Sequence, residues 1–358
     1  MMTHSVKSTV AATRYSVAKT RRIRLRIPQL DRIGSRVSLK LFVGVLFSVI
    51  WVWTSPGHAE EFQAWLAKLK AEAASKGISQ PTLEAAFRGV KPIPRVIELD
   101  RNQPEFKLTF DDYIRRVMPN SRVKKGRKKF KENLKLLTEV SRKYGVQPQF
   151  LVAFWGVETD FGRITGGFRV IQALATLAHD GRRSKFFRRE LFHALRILEE
   201  GHIKPDSMKG SWAGAMGQPQ FMPSSFTGYA VDHDGDGRKD IWTTKPDVFA
   251  SAANYLSRYG WRGDERWGRA VKLPNGFDKS MQGLKVKKTV REWAALGVTM
   301  DDGAPLPKSD LKASLILPMK KSGPAYLGYN NYRVILKWNR SHYYAIAVGR
   351  LADRIAGH

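Results

Sequence analysis

Apolar residues recur at helical spacing through most of this chain. Phe62, Trp65, Leu66, Leu69 and Ala73 form one stripe that stops near Gly77. Ser79 to Phe87 predicts a second short helix, with Pro81 near its start. Pro92, Pro94 and Pro104 predict extended loop over 91–105. Helices follow over Phe110–Met118 and Phe130–Tyr144; Gly145 ends the second and Pro148 opens the next. Val170–Ala178 reads as an apolar helix. Ser184–Gly201 has Ser184 as N-cap, a stripe of Phe187, Leu191, Ala194, Leu195 and Leu198, and a terminal glycine. Residues 208–227 read as loop, and 247–259 as a helix ending at Gly260. From Leu273 the texture changes. Short β-like runs occur at Ala313–Leu317 and Tyr332–Trp338, and a helix over Tyr343–Ile355 closes the chain. There is no internal repeat. Helices first, then a small strand-rich unit, then one helix predict an α+β fold that is mainly helical.

One helix breaks its own pattern. Leu151, Phe154, Trp155 and Glu158 are spaced i, i+3, i+4, i+7 and share a face. Three are large and apolar; the fourth is a carboxylate where burial is costly unless the site uses it. Desolvation beside Trp and Phe would raise its pKa, as a general acid working near neutral pH requires. The other reading is a helix end that rotates and leaves Glu158 in water. The stretch alone leaves both open.

The chain start reads as a leader. Residues 1–40 hold ten Lys/Arg and one acid, Asp31. A 13-residue apolar run from Leu41 to Trp53 follows, short for a membrane span and right for the core of a signal peptide. Gly57 and Ala59 are spaced as a cleavage site requires, which predicts a leader over 1–59 and export to the periplasm or cell envelope. An uncleaved anchor is the alternative. The absence of cysteine excludes disulfides, thiolate metal sites, a cysteine nucleophile and a lipidated cysteine anchor. The net charge of +30 stays strongly positive without the leader and suits a polyanionic partner. Export points to wall polymers and away from nucleic acid. The densest basic run, Arg122 to Lys131, has seven Lys/Arg in ten residues and reads as a solvated face with no specific site.

Two further stretches carry chemistry. Gly210 to Ser225 places Gly210, Gly214 and Gly217 among Ser211, Gln218, Gln220 and two further serines. Neutral amides and hydroxyls beside flat apolar surfaces suit a carbohydrate. An ordinary polar loop is the alternative for Ser224 and Ser225. Asp232-His-Asp-Gly-Asp-Gly matches an EF-hand loop at positions 1, 3, 5 and 6. Asp232, Asp234 and Asp236 would offer carboxylates and Arg238 its backbone carbonyl. Asp240 sits at position 9, but position 12 is Thr243. The next carboxylate is Asp247, four residues late, so either the loop is longer than usual or the ion is weakly held. Asp247 can alternatively be an acid favouring a helix N-terminus. A lone loop predicts a structural Ca²⁺ site, not a sensor. No HExxH, Walker loop or G-x-S-x-G is present, and the eight histidines show no metal-ligand spacing. A paired-carboxylate glycosidase needs a second acid some ~5–10 Å away; none is evident near these motifs.

Together, GVETDFGR around Glu158, GSWAGAMGQPQFMPSS and the DxDxDG loop resemble the membrane-bound lytic murein transglycosylase B family, glycoside hydrolase family 103. The likeness runs from about Phe62 to the C-terminus. It implies a lysozyme-like core with a helical domain and a small β domain. It also implies cleavage of the N-acetylmuramic acid β-1,4 N-acetylglucosamine bond of peptidoglycan, with closure of a 1,6-anhydro ring. Glu158 would act first as acid and then as base. Ser211 and Gln220 would contact Glu158 and the sugar, with Tyr255, Tyr344 and Tyr113 lining the cleft. Where the family can place a tyrosine before the Asn-x-Ser near the end, this chain has Trp338, expected to stack only. The expected division is leader 1–59, helical domain 60–140, catalytic core 141–275, β-rich domain 276–337 and a returning segment 338–358. The expected partner is the glycan strand. No organic cofactor, no nucleic acid, no lasting membrane insertion after cleavage and a monomeric state complete the expectation. A lysozyme-type hydrolase and a non-catalytic Ca²⁺-stabilised wall-binding protein are the alternatives.

Overall fold

A computed structural model describes residues 56–102, 108–319 and 323–357. The expected leader lies outside them, apart from its last few residues. Among the described residues no helix is long and apolar enough to cross a membrane.

Among the described residues the fold is mainly helical, with a five-stranded sheet and a two-stranded antiparallel pair. Helices α1 (Pro56–Ser75), α2 (Gln80–Phe87) and α3 (Pro94–Arg101) precede α4 (Phe110–Val117), α5 (Asn120–Glu132) and α6 (Leu134–Tyr144). The acid-bearing helix is α7 (Pro148–Thr159). After it come β1 (Phe168–Arg169), α8 (Val170–His179), α9 (Ser184–Glu199), β2 (Lys209–Gly210), α10 (Pro223–Tyr229) and α11 (Lys245–Arg258). The sheet is built from β3 (Gly268–Lys272), β4 (Lys288–Thr289), β5 (Thr299–Met300), β6 (Lys312–Ile316) and β7 (Ala325–Gly328), with α12 (Val290–Ala295) between β4 and β5. Helices α13 (Asn330–Trp338) and α14 (His342–Ala356) close the chain.

Five sequence expectations change. The end of 208–227, read as loop, is helical, because Pro223 opens α10. Residues 91–105 hold α3, because Pro94 sits in its first turn, where the missing N–H costs nothing. Tyr332–Trp338 is helical. Its buried Asn331, Val334, Ile335 and Trp338 follow i, i+3, i+4, i+7, and that spacing outweighs the β-branched run. The helix expected over Phe130–Tyr144 is split: its first residues belong to α5, which carries the basic run, and Asn133 separates α5 from α6. Ser184 is not a cap; Arg183 holds the N-cap position with φ +60.

The five strands pair antiparallel in the order β4-β6-β7-β3-β5, with Ala270 opposite Tyr326 and Leu315 opposite Leu327. Their apolar side chains close over Trp293, buried on α12. The larger core surrounds α7, which is buried on every side from Phe150 to Thr159. Small residues permit this. A Cβ at Gly156 would lie 2.8 Å from the Phe161 ring. The apolar stripe seen in the sequence is thus part of a helix sunk entirely in the core. Glu158, near its C-terminal end, is 7% exposed, so the solvated reading fails.

Candidate active site

Glu158 is reached from the far end of the chain. Trp338 Nε1 donates to Glu158 Oε1 at 2.7 Å, and the Tyr344 hydroxyl donates to the same oxygen at 2.5 Å. The turn between α13 and α14 sets both donors. Asn339 Oδ1 accepts from Ser341 N at 2.9 Å, and Ser341 Oγ caps α14 by accepting from Tyr344 N at 3.3 Å. Trp338 therefore ends one helix and Tyr344 lies in the first turn of the next. Trp338 packs on Phe154 at 4.6 Å and on Tyr255 at 4.9 Å between ring centroids. The expectation that Trp338 only stacks is corrected: its ring edge carries an N–H that a tyrosine ring edge lacks, and the packing aims it at the carboxylate.

Burial raises the Tyr344 phenol well above its ordinary pKa, and the nearby Glu158 charge and hydrogen bond add to this. Tyr344 is thus held as a neutral donor. Tyr255 lies in the same aromatic group, and its hydroxyl donates to Lys337 O at 2.7 Å. Burial raises its phenol too. Tyr113 is buried on α4 with its ring 5.7 Å from Tyr343.

The glycine-rich segment packs against α7. Gln218 is its tie. Gln218 Oε1 accepts from Trp155 Nε1 at 2.7 Å, and Gln218 O accepts from Thr159 Oγ1 at 3.0 Å. Gly217 has φ +66, and a Cβ there would lie 2.6 Å from Ile241 O, so glycine is required. Ser211 is buried and its Oγ accepts from Ala215 N at 3.0 Å. Gln220 has φ +51, and its Nε2 donates to Thr165 O at 3.0 Å and Gly217 O at 2.9 Å. Both shape the loop through these bonds. Gln218 was visible in the sequence only as one neutral donor among several.

Asp160, two residues after Glu158, points away. The helix stops at Thr159, and Asp160 and Phe161 take φ +50 and +62. The Asp160 carboxylate accepts from Arg163 Nε at 2.7 Å and Lys125 Nζ at 3.3 Å, with Arg122 Nε at 3.6 Å. Burial pushes its pKa up, but Arg163, Lys125 and Arg122 outweigh burial and hold it below the usual carboxylate value. The basic run therefore includes two cations that grip the end of α7.

The DxDxDG loop brings three carboxylates together. Ligand atoms of Asp232, Asp234 and Asp247 lie within 4.8 Å of one another. Asp232 accepts from Gly235 N at 2.7 Å and Gly237 N at 2.8 Å. Asp247 is fully buried and accepts from His233 N and Asp240 N, both at 2.7 Å. Burial raises its pKa, and the Asp234 and Asp232 charges add to that. A buried acid beside two like charges, all hard oxygen donors, fits Ca²⁺ chemically. Asp236 lies outside the trio and pairs with Arg238, accepting from its backbone N at 2.8 Å and its Nη2 at 2.9 Å. Asp240, at position 9 of the EF-hand-like pattern, accepts from Trp242 N at 2.8 Å and Thr243 N at 2.9 Å and closes the loop.

Comparison with known proteins agrees with this geometry. The chain is 44% identical to SltB3 from Pseudomonas aeruginosa, solved in complex with NAG-anhNAM-pentapeptide, with TM-score 0.80 over 83% of this chain and 80% of that one. It is 30% identical to the lytic transglycosylase Slt35 from Escherichia coli, solved in complex with calcium, with TM-score 0.70 over 83% of this chain and 93% of that one. It is 38% identical over 219 residues to membrane-bound lytic murein transglycosylase B of Escherichia coli strain K12. That match covers 60% of this chain and 58% of the relative's length. The Transglycosylase SLT domain family matches residues 61–353, nearly all of the described fold, and the chain belongs to that family.

Proposed function

We propose that the chain is an exported peptidoglycan lytic transglycosylase. It cleaves the bond between N-acetylmuramic acid and N-acetylglucosamine and leaves a 1,6-anhydromuramoyl end. The observation that carries this is the single buried acid held by two neutral donors, on a fold shared with the SltB3 complex.

Glu158 protonates the leaving glycosidic oxygen and then, as carboxylate, takes the proton of the C6 hydroxyl that closes the ring. One group serves both steps because each leaves it in the form the next requires. Trp338 and Tyr344 hold Oε1 in place and stabilise the carboxylate once the proton is given up. A double displacement would need a second carboxylate nearby. The neighbouring Asp160 is engaged by Arg163 and Lys125, which favours ring closure by the substrate itself. Ser211, Gln220, Tyr255 and Tyr113 belong to this reading as residues that shape or line the sugar cleft. The five-part division at residues 59, 140, 275 and 337 and the periplasmic location belong to it as well. So does a Ca²⁺ ion held by Asp232, Asp234 and Asp247, with a purely structural role. Asp236 would join it by turning from its pairing with Arg238, and the Arg238 carbonyl, which takes no part in that pairing, would join as it stands.

Glu158→Gln keeps the shape and removes the proton. Release of soluble fragments from isolated peptidoglycan is expected to fall about a hundred- to ten-thousandfold. Mass spectrometry of the wild-type products should show muramoyl ends lighter by one water than hydrolytic ends. Hydrolytic masses would replace this reading with a lysozyme-type hydrolase, and sacculus binding with no release at all would make the chain a wall-binding protein.

A further inference from the structure

A cavity lies on the far side of α14 from Glu158. Tyr344 faces the carboxylate, whereas Arg350 and Asp353 line the cavity. At 3.6 residues per turn they sit roughly 180–240° around the helix from Tyr344. The cavity is about 830 Å³, bounded by α4, α14 and strands β3 and β7. Its walls include the buried rings of Phe110, Trp267 and Tyr326, and six Lys/Arg line it against three Asp. One of those acids is in use: Asp353 accepts from Trp267 Nε1 at 2.8 Å and has Arg266 at 3.8 Å.

Arg269, on β3, gives the cavity its chemistry. Its guanidinium stacks on Tyr329 at 5.6 Å. Nη1 reaches the Met300 sulphur at 3.4 Å, a weak acceptor. Nε is buried with no hydrogen-bond partner, and among the described residues no carboxylate pairs with this side chain. A guanidinium in a cavity wall without a counter-charge is costly unless a ligand supplies one. Its planar fork matches a carboxylate. Aromatic walls on either side favour an anion carried on a partly apolar chain over a bare, strongly hydrated phosphate. The exposed Asp111 and Asp301 can accept from an amino group on the same ligand.

We infer that this cavity binds a short carboxylate-bearing peptide, of the kind that stems from peptidoglycan strands, with Arg269 as its anion anchor. This rests on the peptidoglycan reading above. Because α14 separates the cavity from Glu158, the bound peptide belongs to a part of the wall other than the bond being cut. The site acts as a second hold on the wall.

The test is calorimetric titration of the full chain with an N-acetylated stem pentapeptide, with the same peptide fully amidated, and with inorganic phosphate. Saturable binding of the free acid is expected, at least tenfold weaker for the amide, with phosphate a poor competitor. Arg269→Gln should weaken peptide binding tenfold or more and leave release from peptide-free glycan unchanged. No saturable binding, equal binding of the amide, tighter binding of phosphate, or wild-type affinity in Arg269→Gln overturns the inference. If Arg269→Gln loses its cooperative melting, Lys272→Gln and Arg350→Gln decide: weakened binding in either supports the site, and wild-type affinity in both overturns it. Glycan cleavage without peptide binding defeats this site alone. Peptide binding without cleavage defeats the enzymatic reading and leaves the site standing.

Discussion

Glu158 shares one carboxylate oxygen between two donors of different chemistry. Tyr344 offers a hydroxyl that can donate or accept; the Trp338 indole only donates and does not ionise. Trp338 thus favours the carboxylate form without joining proton transfer. Trp338→Phe keeps the ring between Phe154 and Tyr255 and deletes the N–H. A hydrogen bond to a charged group is worth about 1.5–3 kcal/mol, so kcat is expected to fall about tenfold to a hundredfold with KM little changed. Trp338→Tyr should recover part of the loss if its hydroxyl reaches Oε1. Steady-state kinetics on soluble glycan fragments, beside a melting curve, check this; an unchanged kcat in the phenylalanine variant removes the indole from the mechanism. The sequence alone marks Trp338 for stacking because the ring face is what composition advertises. The direction of its edge N–H is fixed by the α13–α14 turn, which no local pattern displays.

At the scale of elements, α5 holds α7 in register through Asp160. The end of α7 leaves two consecutive non-glycine residues with positive φ, a conformation that costs energy at each. Arg122 and Lys125 from α5, Arg163 from the following turn, and the Phe161 ring against Gly156 offset that cost. Asp160→Asn keeps the shape and removes the charge. It is expected to destabilise the protein by about 1–2 kcal/mol at neutral pH, toward the low end because Arg163 is half exposed. The folded-state pKa of Asp160 is lowered, so its contribution is present above the unfolded value of about 3.9 and is lost as pH falls through the folded value. The melting difference between wild type and Asp160→Asn should therefore be full at neutral pH and close under acid; a gap that persists unchanged to pH 3 would show that charge is not its source. The same elements mark how much of the fold could be read in advance. The apolar period placed α1, α7, α8, α9 and α14, because burial on one side or all sides leaves a periodic trace. It missed α3, where Pro92 and Pro94 read as loop although Pro94 opens a helix. It read α13 as strand, because Tyr332, Val334 and Ile335 have β-forming side chains while the deciding contacts come from Glu158 and Tyr255. In the site, Glu158 stood out as an acid among apolar residues, whereas Gln218 read only as one neutral donor among several, because its tie to Trp155 joins residues far apart in the chain.

At the scale of the molecule, the three-carboxylate loop ties the chain between Ala230 and Ile241 to the start of α11, next to the large core that both ends share. Asp232 and Asp234 precede a hydrophilic turn, and Asp247 opens α11, whose buried face carries Tyr255 into the aromatic group around Trp338. Without a cation, Asp247 is a buried carboxylate facing two others, and folding must bear that repulsion. Ca²⁺ reverses the sign of the local field and binds only where the three oxygens are assembled, so binding stabilises the folded chain by mass action. At a free concentration a hundred times the dissociation constant the gain is about 2.7 kcal/mol, which raises the melting temperature by about 4 °C in a fold of this size. Chelator should lower the melting temperature and added Ca²⁺ restore it, while Mg²⁺, which holds its own waters and demands a tighter octahedron, should restore little. Asp247→Asn should abolish the response to Ca²⁺. Because the loop does not touch Glu158, turnover well below the melting temperature should change far less on chelation than stability does. Equal melting in chelator and in Ca²⁺ would mean that the loop is held by its own hydrogen bonds. A loss of turnover matching the loss in Glu158→Gln would mean that the ion acts on the chemistry and not on the frame.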